Sequence, residues 1–245
     1  MIEYDFNRTD RIASVVGHNA DFLTNGTLYI PSSVEDDGIK YTVTEIADKA
    51  FAVWKELKRV TIPNTVTHIG KAAFSGCSSL EVTHFPDNVS FVTQIGDRAF
   101  GDCSQLRKSA IISSVQSIGE KAFGGCTKLE KAFISNEIEV IPRNAFLGCV
   151  NLTNLTLGNK VWIIDECAFF GCEGLNCVVI PASVTTIGKG AFSNCDNLGK
   201  VTFLGNPPKL ASGVFGNNTQ IYYRAGTSGW TSPEWNGYET KAIVF

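Results

Sequence analysis

No run of apolar residues in this 245-residue chain approaches the length of about 18 that a membrane-crossing helix needs. The amino terminus, Met1-Ile-Glu-Tyr-Asp-Phe6, lacks the basic segment and apolar stretch of a secretory leader, so the sequence reads either as cytosolic or as beginning after a removed leader. Histidine is scarce: His18, His68 and His84 share no metal-ligand spacing, and no zinc site is indicated. A phosphate loop, a Gly-x-Ser-x-Gly elbow and paired carboxylates are all missing, so no nucleophile, base and orienting group assemble into an enzyme site and no cofactor is expected. Charge of one sign is missing too. With 21 basic against 24 acidic residues the net charge is −3, which gives no broad electrostatic attraction to nucleic acid or a membrane surface.

What the chain has is a repeat. Ala-Phe recurs with phenylalanine at 51, 74, 100, 123, 146, 169 and 192, and Val214-Phe215 is a degenerate last copy. The intervals are 23, 26, 23, 23, 23, 23 and 23 residues, the mark of a solenoid in which each short unit is one turn of backbone stacked on its neighbour. Counted from phenylalanine, isoleucine stands five before (46, 69, 95, 118, 141, 164, 187), cysteine three after, leucine six after (57, 80, 106, 129, 152, 175, 198), and a large apolar residue eleven after (Ile62, Phe85, Ile111, Ile134, Leu157, Ile180, Phe203). One unit buries too few side chains to offset its own ordering, so stability must come from the interfaces between coils.

In Leu57-Lys-Arg-Val-Thr-Ile-Pro63, Val60 and Ile62 alternate with Arg59 and Thr61, the two-residue period of a strand. Each coil is expected to give one short strand, and successive strands a parallel sheet along one face. Glycine in Ile-Gly and before the cysteine marks turns. The stretch between them, such as Gly119-Glu-Lys-Ala-Phe123, carries helix-compatible residues and predicts short helical or 3-10 pieces on the back.

The pattern Cys-x-x-Leu-x-x-(Val/Leu)-x-Ile-Pro-x-x-Val-x-x-Ile-Gly-x-x-Ala-Phe, best seen from Cys172 to Phe192, resembles the BspA-type leucine-rich repeat, and the resemblance covers about residues 43 to 215. It implies an α/β leucine-rich-repeat fold: a right-handed, horseshoe-like solenoid with a parallel sheet on one face and short helical or 3-10 turns on the other. It also implies a binding role like that of bacterial surface proteins and secreted adhesins, hence a cell-surface or secreted location, with no catalytic residue carried over.

A continuous repeat argues for one structural domain, with residues 1–42 as an N-terminal cap, 43–215 as repeats and 216–245 as a C-terminal cap. Gly26-Thr-Leu-Tyr-Ile30 reads as the strand of an earlier coil. Tyr4, Phe6, Val15 and Val16 are expected to cover it, and Glu35–Thr42, with Asp36-Asp37-Gly38, is an inserted turn. The three extra residues between Phe74 and Phe100 fall between Pro86 and Ile95 and predict a local bulge carrying Asn88 and Phe91. Trp230, Trp235 and Tyr238 are expected to cap the last coil; a sugar-stacking site is the alternative.

Six of the eight cysteines, Cys77, Cys103, Cys126, Cys149, Cys172 and Cys195, hold one repeat position and should form an inward ladder of reduced thiols, because parallel side chains keep their Cβ atoms too far apart for a disulfide. Trp54 and Asn218 take that position at the two ends, while Cys167 and Cys177 lie outside the ladder.

The outward strand positions carry the binding hypothesis. Eight after phenylalanine come Arg59, Val82, Lys108, Lys131, Asn154, Cys177 and Lys200; ten after come Thr61, His84, Ala110, Phe133, Thr156, Val179 and Thr202. An apolar patch on a solvent-facing sheet edged by lysines is what a protein-binding site looks like, so the candidate surface is Arg59, Thr61, His84, Lys108, Ala110, Lys131, Phe133, Thr156 and Val179. The opposing reading is that single exposed apolar residues are ordinary. The expected partner is a protein; the alternative is a carbohydrate stacked on the C-terminal aromatics or on Trp162. Leu147 and Phe170 form an apolar spot on the back through which a monomer would self-associate weakly.

Overall fold

The computed structural model describes residues 1–18, 25–84, 91–107 and 114–244. The described coils wind as a solenoid that contributes strands to a first ladder and shorter strands to a second. Strands of the first ladder are Thr27–Tyr29, Arg59–Thr61 and Val82–His84, then Lys131–Phe133 and Asn154–Thr156, then Cys177–Ile180, Lys200–Phe203, Gln220–Arg224 and Tyr238–Ile243. All pair parallel and in repeat register, as in Lys131↔Asn154 and Phe133↔Thr156.

The second ladder is not foreseen by the repeat pattern. Residues 45 and 46 of the strand Ile39–Ile46 begin it, followed by His68–Ile69, Gln94–Ile95 and Ser117–Ile118, then by Val140–Ile141, Ile163–Ile164, Thr186–Ile187 and Lys209–Leu210. The isoleucine five before each phenylalanine is the inward residue of these pairs and is buried in every coil from Ile46 to Ile187. A two-residue strand is too short to show a period, so its sequence reads as a turn.

The expectation of helical or 3-10 pieces on the back is overturned: no helix is present among the described residues. A third hydrogen-bonded seam takes their place. The amide of Phe74 donates to the carbonyl of Ala99 one coil on, at 2.8 Å, and the amides of Ala72 and Gly76 donate to Asp97 and Gly101. The intervening amides bond within the coil, as Ala73 to Gly70, Ser75 to Ala72 and Cys77 to Phe74. Every second peptide is thus turned along the solenoid axis, and the residue two before phenylalanine adopts positive φ, from Lys49 (59°) and Ala72 (53°) to Cys167 (54°). A helix would align all its peptides locally and forfeit these bonds to the next coil. The seam outweighs the cost of a left-handed residue, about 1–2 kcal/mol each for a non-glycine.

The core is a set of files running the length of the stack. Phenylalanines 51, 74, 100, 123, 146, 169, 192 and 215 pack face to face, with centroids 5.1–5.5 Å apart and planes within 22° of parallel. The leucine file is buried throughout, and Ile62, Ile134, Ile180 and Phe203 close the core eleven after phenylalanine; Leu157 is only partly buried, and Phe85 and Ile111 lie outside the described residues.

The six ladder cysteines are buried and free. Each thiol donates to the carbonyl of the phenylalanine of the preceding coil, at 3.0–3.3 Å, as Cys149 Sγ to Phe123 O. The position therefore needs a residue that is small, apolar and still able to donate, which is a description of cysteine. Burial pushes the thiol of Cys77 up to about 12 and that of Cys195 likewise, and holds those of Cys103, Cys149 and Cys172 well above the ordinary value. Native-state labelling with a maleimide should therefore modify Cys177, which is exposed, and Cys167, which is half-buried, while the other thiols react only after unfolding. Rapid labelling of six or more thiols would contradict the ladder.

At the amino-terminal end, Ile2–Asn7 and Ile12–His18 form an antiparallel hairpin, and the second strand pairs parallel with Ile39–Ile46. Ala13 and Val15 face the core, with Tyr4 and Phe6 packed on its margin; Val16 is 41% exposed, a correction to its expected covering role, because alternation along the strand turns it outward between Val15 and Gly17. The inserted turn is a hairpin of Ser33–Asp36 with Ile39–Ile46, whose two loop residues, Asp37 (50°) and Gly38 (74°), both have the positive φ that a tight hairpin turn takes. Trp54, standing where later coils have cysteine, is buried and stacks on His18 at 3.5 Å.

At the other end Trp230 packs between Tyr223 (5.0 Å), Phe203 (5.1 Å) and Trp235 (4.6 Å), and its indole donates to the carbonyl of Gly205. Tyr238 lies edge-on to Phe215, and its hydroxyl accepts the Phe215 amide, the bond that a further coil would otherwise take. These aromatics are spent on closing the stack.

Candidate functional site

The first ladder presents its outward residues from paired strands, and the one that carries Phe133, Lys131–Phe133, pairs in register with Asn154–Thr156. Phe133 is 45% exposed between buried Ala132 and Ile134, so the strand register read from the sequence holds at this residue. Thr156 stands beside it in register and is exposed, and Val179, one coil further, is 50% exposed. Across the coils of Asn154–Thr156, Cys177–Ile180 and Lys200–Phe203, Leu155, Thr156, Leu157, Val179, Pro181 and Leu204 line an open, mainly apolar groove of about 250 Å³. The groove exists because Leu157, which should have closed the core, is only partly buried, and because the ladder is interrupted between Asn154–Thr156 and Cys177–Ile180.

Around this centre the basic file is present in part. Lys131 is exposed two residues before Phe133 on the same face, and Arg59 is exposed in the first repeat coil. Thr61 is half-buried and His84 exposed, in register with each other. Lys108 and Ala110 lie outside the described residues, as do Asn88 and Ile112. Toward the C-terminal end the apolar character stops: Thr202 is buried, and Lys200 sits 4.8 Å over the ring of Tyr222. Tyr29, 65% exposed and paired in register with Thr61, belongs to the same outward file and was missed. Extending the repeat back to Gly26–Ile30 carries the signal that finds it.

No cluster of three or more histidine, cysteine or acidic residues able to hold a metal ion occurs among the described residues, and no described helix is long and apolar enough to cross a membrane. Leu147 and Phe170 are both half-buried, with the backbone carbonyl of each accepting a bond from the preceding coil, so the apolar spot they offer is small.

The sequence profile of the BspA type leucine rich repeat region matches in six copies over residues 44–176 and 139–225. The chain belongs to that family. Among solved structures it is similar to a leucine-rich cell surface protein from Faecalibacterium prausnitzii, at 35% identity and a TM-score of 0.76 over 82% of this chain. It is also similar to a leucine-rich repeat protein from T. pallidum, at 28% identity and a TM-score of 0.69, over 80% of this chain and 87% of that one. This BspA-type chain spans about half, 52%, of the length of the F. prausnitzii protein. A comparison with curated proteins finds no match. As in other repeat folds, its stacked coils expose an extended surface suited to interaction.

Proposed function

We propose that the chain is a non-enzymatic module, at the cell surface or secreted, that binds a protein partner through the outward face of its first ladder, centred on Phe133. The observation that carries this reading is a large aromatic ring held 45% exposed on a rigid sheet, in register with Thr156 and next but one to Val179, itself 50% exposed. A platform whose backbone is already fixed loses little entropy on binding, and a central aromatic anchor concentrates binding energy. Lys131 and Arg59 favour an acidic rim on the partner, raising a salt-sensitive association rate more than affinity. The likeness to a leucine-rich cell surface protein supports the location.

The test is a binding screen against extracellular-matrix and cell-surface proteins, repeated with Phe133→Ala. Binding should weaken by about 2 kcal/mol or more while the melting temperature stays within about 2 °C of the parent. Loss of stability equal to loss of binding would make Phe133 a structural residue and end the proposal.

A further inference from the structure

Three of the four tryptophans have a structural explanation: Trp54 fills a cysteine position under His18, and Trp230 and Trp235 close the last coil. Trp162 has none. It is 44% exposed and makes no ring contact or side-chain hydrogen bond among the described residues. It sits at the edge of the second ladder, on a face different from the one that carries Phe133. Its backbone is tied down on both sides: its amide donates to Glu139 at 2.9 Å, and its carbonyl accepts the Thr185 amide at 3.0 Å and the Thr185 hydroxyl at 3.2 Å. The ring is therefore mounted on a rigid edge between exposed Glu139 on the preceding coil and exposed Thr185 on the following one. Val140, 37% exposed, pairs with the neighbouring Ile163, and the 2.8 Å ion pair of Lys160 with Glu137 bridges the same two coils.

We propose that Trp162 is the stacking platform of a carbohydrate subsite, which takes the apolar face of a pyranose ring while Glu139 accepts hydrogen bonds from its hydroxyls. The chemistry of the surroundings selects this occupant. A protein interface buries about 800 Å² per partner around a contiguous apolar centre. Here the large exposed apolar groups are one indole and Val140, while the residues in register with the indole, Glu139 and Thr185, are polar, as are Glu137 and Lys160 on the same two coils. A flat ring with a polar rim matches a ligand that is apolar on one face and hydroxylated at its edge. The site is independent of the Phe133 surface.

The test uses the whole chain, labelled with nitrogen-15, and follows the four indole Nε1–H resonances while chitohexaose, cellohexaose, xylohexaose and mannohexaose are each added to about 10 mM, since a single stacking site of this kind binds at about 1 mM. The expected result is that at least one saccharide moves the resonance that disappears in Trp162→Ala and leaves the other three in place. Trp162→Ala should weaken binding about tenfold or more and Trp162→Tyr by less than about threefold, with unchanged melting temperature, because the ring supports no neighbour. No shift with any of the four saccharides, a shift that survives in Trp162→Ala, or a shift produced only by an added peptide would each overturn the proposal.

Discussion

Replacing Phe146 by alanine is expected to destabilise the chain by about 3–5 kcal/mol, the range for deleting a fully buried aromatic ring. The ring is inaccessible to solvent and lies mid-stack, with Phe123 at 5.4 Å and Phe169 at 5.3 Å, planes 7° from parallel on both sides. Its removal strips one face of contact from two neighbours at once, and the surrounding backbone cannot collapse to fill the gap. The Phe146 amide bonds to Ala168 and the Phe123 amide to Ala145, fixing the spacing between coils independently of the side chain. Because coils are stabilised by nearest-neighbour interfaces, the damage should also divide the unfolding transition, the coils on either side of residue 146 melting less cooperatively. Urea titration followed by circular dichroism reads both effects. A loss below about 1.5 kcal/mol with an unchanged m-value would mean that the ladders and the backbone seam, not the ring stack, hold the coils together.

The thiol ladder leads to a second large effect, at alkaline pH. The folded state raises the ladder thiols above the ordinary value of 9.0, to about 12 in Cys77 and Cys195, because burial disfavours the thiolate. The unfolded chain therefore releases these protons first. Stability is fully present below about pH 9 and is lost as the pH rises toward the folded values, with each thiol contributing about 1.4 kcal/mol per pH unit in that window. With six such thiols in one cooperative stack, the slope is steep enough to unfold the protein between about pH 9 and 11, under argon and with a phosphine reductant present to exclude disulfide chemistry. Cys149→Ala should reduce the slope by one thiol's share even though it lowers stability at neutral pH, since it removes the bond to the Phe123 carbonyl. Stability that stays flat to pH 11 would show that the thiolates are accommodated inside, against the burial seen.

The candidate surface was legible in the sequence because alternation along a three-residue strand suffices to say which side Phe133 takes once Ala132 and Ile134 are assigned inward. Tyr29 escaped because its coil carries no Ala-Phe mark. Thr202 was assigned outward and is buried, near the place where the C-terminal strands join the ladder and Lys200 lies over Tyr222. The groove beside Thr156 follows from a local break in pairing, for which no single residue supplies a signal.

By itself the sequence determined the period, the solenoid, and the membership of each core file, because burial repeats at fixed offsets and every coil must present the same residues to its neighbours. Phenylalanine, leucine, isoleucine and cysteine are written once per turn, and an inward position tolerates little else. The tertiary structure alone decided what the backbone does between those positions. The stretch around Ala-Phe has side chains compatible with a helix, but stacking offers its alternate amides partners one coil away, and that non-local gain selects the left-handed residues and removes the helix. It likewise decided that Ile-Gly is a strand end within a second ladder, that the cysteine is needed as a donor to a carbonyl 26 residues earlier, and that the terminal aromatics are consumed in closure while Trp162 is left exposed. Each of these depends on hydrogen bonds or ring contacts between coils, and a local residue pattern does not encode a partner that only stacking brings within reach.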